Sequence, residues 1–271
     1  ELFFDTVIEK ENKIIFIHED VNENIIKFIY SLDQDSYKLD FEVLTENGNT
    51  YIEPNKLYFS QQVNQLEKNI DNERNSTTIN YSFNNTSSKQ LSLMKDLKKI
   101  IKNPTWIANK QQFFSTIISS NLSFGESKIS TFSPDSDNYI KKLTSECSIQ
   151  YENNSDSYLF EFYFLPNKYS LLKSFDKGFE SLVPLGWGIF GWVNKFLVIP
   201  MFNFLEKLGL NYGIIILIMA VVIKLILFWP TKSSYLSMAK MRVLKPEIDA
   251  LNEKIKDPLE KQQAQMNLYK K

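Results

Sequence analysis

Lys224 sits inside GIIILIMAVVIKLILFWP, residues 213–230, where it is the one charge in an apolar run. An ammonium there has two physical uses. Six residues separate it from Pro230, about 9 Å at helical rise, so a snorkelling stem can nearly carry the charge to water. Alternatively it faces a polar cavity and meets an acidic partner, because charges inside membranes mark pathways and counter-ions. The residues leave both readings open. Other candidate chemistry is sparse. One cysteine, Cys147, and one histidine, His18, exclude an internal disulfide, a Cys/His zinc cluster and a pair of imidazole ligands. His18 lies in the alternating stretch IIFIHED and reads with Cys147 as a packing or surface residue. Paired carboxylates stay possible among 32 acidic residues, a pairing that glycosidases use. No G-x-x-x-x-G-K-[ST] phosphate loop occurs among only eight glycines. Neither a metal nor a cofactor is expected.

The elements that would position Lys224 divide the 271 residues by composition. The chain is 23% charged and 43% hydrophobic, with 31 basic against 32 acidic side chains and a net charge of -1. That balance gives no whole-chain field and no support for a nucleic-acid partner. In residues 1–178, NKIIFIHED, IIKFIYSL, YKLDFEVLTENGNTYIE and NSTTINYSF cluster β-formers between Asn, Asp, Gly and Ser. That spacing predicts antiparallel strands and a β-sandwich domain. Asn47-Gly48 is a hairpin signal, since a type I′ turn needs positive φ at both central residues. Leu93, Leu97, Ile100 and Ile101 fall at helical spacing and predict a short helix ended near Pro104. Strand character returns in STFSPDSDNYIKKLTSECSIQY and SDSYLFEFYFLP, and LPNKYSLLKSFDKGFESL predicts a closing helical piece. The chain starts at Glu1 and stops within a helical pattern, so it reads as part of a longer protein.

Residues 179–208 read as an amphipathic helix lying at a membrane surface. Trp187, Trp192 and Lys195 suit the headgroup boundary, where an indole is half wet and an ammonium reaches water. A full span is the competing reading, allowed by length but opposed by Lys195 near its middle and by glycines and prolines. A soluble core helix is the third. Residues 209–230 read as a transmembrane helix, since positions 213–229 alone cover roughly 26 Å, with Trp229 at its far interface. Residues 231–245 carry Lys232, Lys240, Arg242 and Lys245 and no acid, which places that side in the cytoplasm. A single crossing then puts the β-rich front in the periplasm. From Leu244 onward, Leu244, Ile248, Leu251 and Ile255 step by four and three. They predict a helix with one apolar stripe, Pro246 in its first turn and a solvated face bearing Glu247, Lys254 and Lys256.

The order NYGIIILIMAVVIKLILFWPTKSSYLSMAKMRVLKPEIDALNEKIKD, followed by KQQAQMNLYKK, resembles the YidC branch of the membrane protein insertases. The match combines a span with one basic residue, a proline at its end, SMAKMR at 237–242 and LKPEI opening a charged helix. NPTWIANKQQFF at 103–114 and FYFLPNKYSLLKSF at 162–175 are similar to segments of the family's large periplasmic domain. The resemblance implies a periplasmic β-supersandwich, an interfacial helix, the first span of the family's core, and a cytoplasmic helical hairpin that begins at 231–271. It further implies an insertase and chaperone of the inner membrane, not an enzyme, multi-pass in its full length. Its implied partners are nascent membrane proteins, the Sec translocon, the ribosome and the lipid bilayer. A basic residue in a hydrophilic groove draws in a substrate's polar end, and by position Lys224 takes that place. Most members carry arginine there; lysine keeps the charge but loses bidentate carboxylate geometry.

Two other readings compete. A membrane-anchored carbohydrate-binding or carbohydrate-active sandwich would stack sugars on aromatics such as Trp106, although aromatics in sheets are more often core. A bitopic scaffold would leave Lys224 idle.

Overall fold

The computed structural model describes residues 4, 6–20, 23–46, 56–134, 139–150, 157–254 and 258–269. Two compact units appear, Glu1–Pro184 and Leu185–Lys271. The first holds the strands β1 (Thr6–Lys10), β2 (Lys13–Glu19), β3 (Ile25–Leu32), β4 (Lys38–Glu46), β5 (Lys56–Val63), β6 (Thr78–Ser82), β7 (Lys89–Gln90), β8 (Lys98–Lys102), β9 (Trp106–Lys110), β10 (Phe114–Ser120), β11 (Phe124–Phe132), β12 (Lys141–Ile149) and β13 (Ser157–Pro166). They build a nine-stranded sheet ordered β1-β2-β3-β4-β13-β10-β9-β6-β7 and a four-stranded sheet ordered β5-β12-β11-β8. Every pairing is antiparallel. Alternation shows why: along β12 every second side chain from Lys141 to Ile149 is buried and those between are half-buried, the signature of one covered sheet face.

Two apolar clusters hold the unit together. Ile79, Tyr81, Ile107, Ile118 and Phe160 of the large sheet meet Ile101, Phe124, Ile129 and Leu143 of the small one. On the other face of the large sheet, Trp106, Ala108, Ile117, Tyr163 and Leu165 lie under Leu172, Phe179 and Leu182. Those last three come from helix Tyr169–Ser174 and a 3-10 turn at Phe179–Leu182. This third layer explains why all five residues of β9 are buried, against the alternation of a one-sided strand. It also carries the compact unit past residue 178 to Pro184.

The helix expected around Leu93–Ile101 is absent. Residues 98–102 are strand β8, paired to β11 with Ile101 opposite Ser127 and Ile100 opposite Lys128. Ile101 enters the core while Ile100 is exposed, a period of two that cross-strand pairing imposes on an ambiguous KKIIK. Helix Ile70–Ser76, which the sequence reading did not single out, is capped by the Asn69 side chain accepting from Asn72 N. The predicted turn at Asn47-Gly48 lies outside the described residues.

The second unit is helical. Gly188–Val193, a π turn Asn194–Val198 and Ile199–Lys207 run on as one apolar helix. Pro200 has no N–H to offer the carbonyl of Phe196, and the ladder widens in the turn before it. Helix Tyr212–Lys254 follows, then Pro258–Tyr269. The helix runs on through Pro230, where the span is expected to end, and no new helix starts at Leu244, since Pro230 and Pro246 both lie inside the 43-residue helix. A proline removes one ladder bond, which the remaining turns on either side outweigh.

Candidate functional site

Among the described residues of the helical unit, Leu205 and Ile215 are the buried apolar side chains. Helices 199–207 and 212–254 are in contact, and their junction is specified by polar groups. Asn211 Oδ1 accepts from Gly213 N at 2.8 Å and its carbonyl accepts from Ile215 N, capping the long helix. Phe202 and Tyr212 stack with centroids 6.1 Å apart, and the Tyr212 hydroxyl reaches Glu206 Oε1 at 3.1 Å. Beyond that corner the long helix shows apolar side chains all round: Ile214, Ile216, Leu217, Val221, Leu225, Ile226, Leu227 and Phe228 are exposed. A helix apolar on every face needs an apolar medium or other helices around it.

Lys224 is exposed on this helix, in the stripe of Leu217, Val221, Leu227 and Phe228 set by three-, four- and seven-residue spacing. It forms no ion pair among the described residues. Close by, the backbone itself is polar. Pro230 leaves the Ile226 carbonyl without a ladder donor, and the Thr231 hydroxyl donates to the Leu227 carbonyl at 2.6 Å. Lys224 and Thr231 are thus two turns apart on the helix, with an apolar run between them.

At about 1.5 Å per residue the 43 residues reach roughly 64 Å, twice a hydrocarbon core of about 30 Å. The far half carries Lys232, Lys240, Arg242 and Lys245, all exposed. At 100° per residue these cations are spread around the helix rather than along one side. Leu244 and Ile248 of the expected stripe are half-buried; the side chains of Leu251, Lys254, Ile255 and Lys256 lie outside the described ones. Trp229, beside Pro230, is 78% exposed.

In the helix 188–207 the expected interfacial residues partly converge. Trp192 meets Phe196 at 5.5 Å, and the Lys195 ammonium lies 5.7 Å from the same ring. Trp187 is 84% exposed just before the helix. The turn that launches it escaped the sequence reading. A Cβ on Gly191 would come 2.5 Å from the Gly186 carbonyl, and the Asn194 amide donates to the Leu185 carbonyl at 2.8 Å. The glycine spacing in LGWGIFGW was the available signal.

The β unit offers little chemistry. Burial pushes the Cys147 thiol up to about 12, which leaves it inert. Trp106 is fully buried and its indole N–H donates to the Lys177 carbonyl at 2.9 Å, so it is no sugar platform. Lys177 in turn lies on Glu161, which also takes Lys38 at 2.9 Å and the Ser119 hydroxyl at 2.8 Å. Burial alone would raise the Glu161 carboxyl, but these donors hold it at about 2. Among the described residues no cluster of His, Cys, Asp or Glu could hold a metal.

Comparison with known proteins divides the chain within the helix 188–207. The family described as YidC periplasmic domain matches residues 6–202, and the family described as 60Kd inner membrane protein matches residues 204–271. The membrane protein insertase YidC of Parabacteroides distasonis is 36% identical over 99% of this chain and 45% of its own length. That of Azobacteroides pseudotrichonymphae is 34% identical over 100% of the chain and 47% of its own length. That of Amoebophilus asiaticus is 38% identical over 89% and 42%. The chain spans less than half the length of these relatives.

Proposed function

Since the chain belongs to the YidC family of membrane protein insertases, we propose that its parent inserts hydrophobic segments into the inner membrane, with Lys224 as counter-charge for a substrate's polar end. The observation that carries this reading is a lysine with no ion-pair partner among the described residues, exposed on an apolar helix. Moving a polar segment through hydrocarbon strips its groups of water, and a wet, charged place partway across lowers that barrier. An acidic end gains most, because attraction between opposite charges grows as the dielectric falls. The act is one of binding and release, with no covalent step and no cofactor.

The remaining assignments follow the same reading. Residues 209–230 cross the bilayer, and the basic segment 231–245 stays in the cytoplasm by charge bias. Residues 179–208 lie at the periplasmic interface, anchored by Trp187, Trp192 and Lys195, with Trp229 at the opposite boundary. The residues from 231 on open a cytoplasmic hairpin that meets ribosome and nascent chain, and the Sec translocon is a partner. Further helices of the parent complete the groove, because one helix has no inside.

The test is insertion of a substrate with an acidic N-terminal tail by the full-length parent at matched expression. Lys224→Ala is expected to lower insertion at least about tenfold, the effect of roughly 1.4 kcal/mol, while Lys224→Arg retains it. Undiminished insertion by the alanine variant would make Lys224 a snorkelling anchor and remove the counter-charge from the mechanism.

A further inference from the structure

The four-stranded sheet ends in β8, Lys98-Lys99-Ile100-Ile101-Lys102, which pairs with β11 and, among the described residues, with no other strand. Its side chains divide by alternation. Ile101 is in the core, and the Lys99 ammonium donates to the Tyr81 hydroxyl at 2.7 Å, above that ring. Lys98, Ile100 and Lys102 occupy the opposite, outer face, and Ile100 is 57% exposed.

The register extends this face across the sheet. Ile100 lies opposite Lys128, Lys128 opposite Glu146, and Glu146 opposite Tyr58. Beside that row Lys98 lies opposite Ser130, which lies opposite Thr144 and then Ser60. Lys98, Ile100, Lys128, Ser130, Thr144 and Tyr58 line a recess of about 450 Å³. Its carboxylate, Glu146, is already taken by Lys56 at 2.5 Å and by the Tyr58 hydroxyl at 3.0 Å. Lys98, Lys102 and Lys128 form no ion pair among the described residues. The result is a strand edge with no partner among the described residues, flanked by Lys98, by Lys128 and by Lys102, which lies opposite Glu126, with an exposed isoleucine and tyrosine between them.

We propose that the open edge of β8 and the outer face beside it bind an extended acidic segment of a partner protein by strand addition. Backbone bonds to β8 would give the attachment, and alternate side chains the selectivity. An acid, apolar, acid order at every second position would place its carboxylates beside Lys98 and Lys102 and its apolar group beside Ile100, the favourable cross-strand pairs. Lysines on an edge also discourage random pairing. A purely protective edge, however, gains nothing from an exposed isoleucine between its charges or from a cationic recess behind them. The inference concerns the β unit and does not rest on the insertase reading.

The test is fluorescence anisotropy on the full chain in detergent micelles. The labelled probe is an extended peptide with Glu, Val and Glu at alternate positions, and the control carries Lys in place of Glu. The acidic peptide is expected to bind at least about tenfold more tightly than the control, with affinity falling as salt rises. Lys98→Glu with Lys128→Glu should weaken it about tenfold. Lys68→Glu, a charge reversal at an exposed site elsewhere, should leave it unchanged, and far-UV circular dichroism should match for all variants. N-methylation at every second peptide residue, made in both phases, should weaken binding in at least one. Equal binding of acidic and lysine peptides, or no response to the Lys98 and Lys128 reversals, would overturn the proposal. So would full affinity of both methylated phases, or displacement by vesicles of anionic lipid as efficient as by unlabelled peptide.

Discussion

In the β unit Glu161 is shared among Lys38, Lys177 and Ser119, and the 2%-exposed Lys141 donates to the carbonyls of Arg74, Thr77 and Leu93. In the helical unit Lys224 has no ion-pair partner among the described residues, and Leu217, Val221 and Phe228 around it are exposed. One unit buries its apolar groups and pairs or hydrogen-bonds the charges caught inside. The other displays both, because a single rod has no interior. The teaching is that the first unit carries its own solvent-excluded core, while the second borrows one from lipid and from neighbouring helices.

Truncation is the strongest way to break that contrast. Trp106→Ala removes a fully buried indole and its bond to Lys177. It should cost the β unit roughly 3–5 kcal/mol, read as a lower urea midpoint of the full chain in micelles with the helical signal of residues 212–254 kept. A loss below about 1 kcal/mol would mean that the layer over the large sheet is not part of its core.

Charge removal sharpens it. Because the folded Glu161 carboxyl is held at about 2, below its ordinary 4.5, its stabilisation is complete above pH 4.5 and disappears as pH falls through 2. The depression corresponds to about 3 kcal/mol. Glu161→Gln should therefore lower stability at neutral pH and flatten the decline between pH 4.5 and 2. Parallel pH profiles for the two proteins would show that the network contributes nothing.

The smallest effect is expected from the helical side. Leu225→Ala removes as many atoms as a core truncation, but Leu225 is 66% exposed and alanine favours helix. The urea midpoint should shift by less than about 0.5 kcal/mol. A shift of core size would reveal an interior in the helical unit and end the contrast.

What was legible locally is what one face or one medium dictates. β12 announces itself by alternation, and the 213–230 run by a length of apolar residues that no single β-strand would use. Lys224 stood out for the same reason, as a charge against a uniform background. KKIIK at 98–102 fits a helix or a strand equally well, and pairing with β11 decided it. Pro230 reads as the end of a span and Pro246 as tolerated in a first turn, yet one helix runs through both, because losing one bond does not offset the propagation of many.

The sequence by itself determined the media: a β-forming, Asn-rich and Ser-rich front for water, an apolar run for lipid, and a basic flank that orients the crossing. Only the tertiary structure decided which residues share a site. Lys38, Ser119, Glu161 and Lys177 are scattered along the chain and meet because strand order and register place β4, β13 and β10 side by side under a third layer. Periodicity is a property of a few neighbouring residues. Pairing between distant segments depends on the register of the whole sheet, which no short stretch contains.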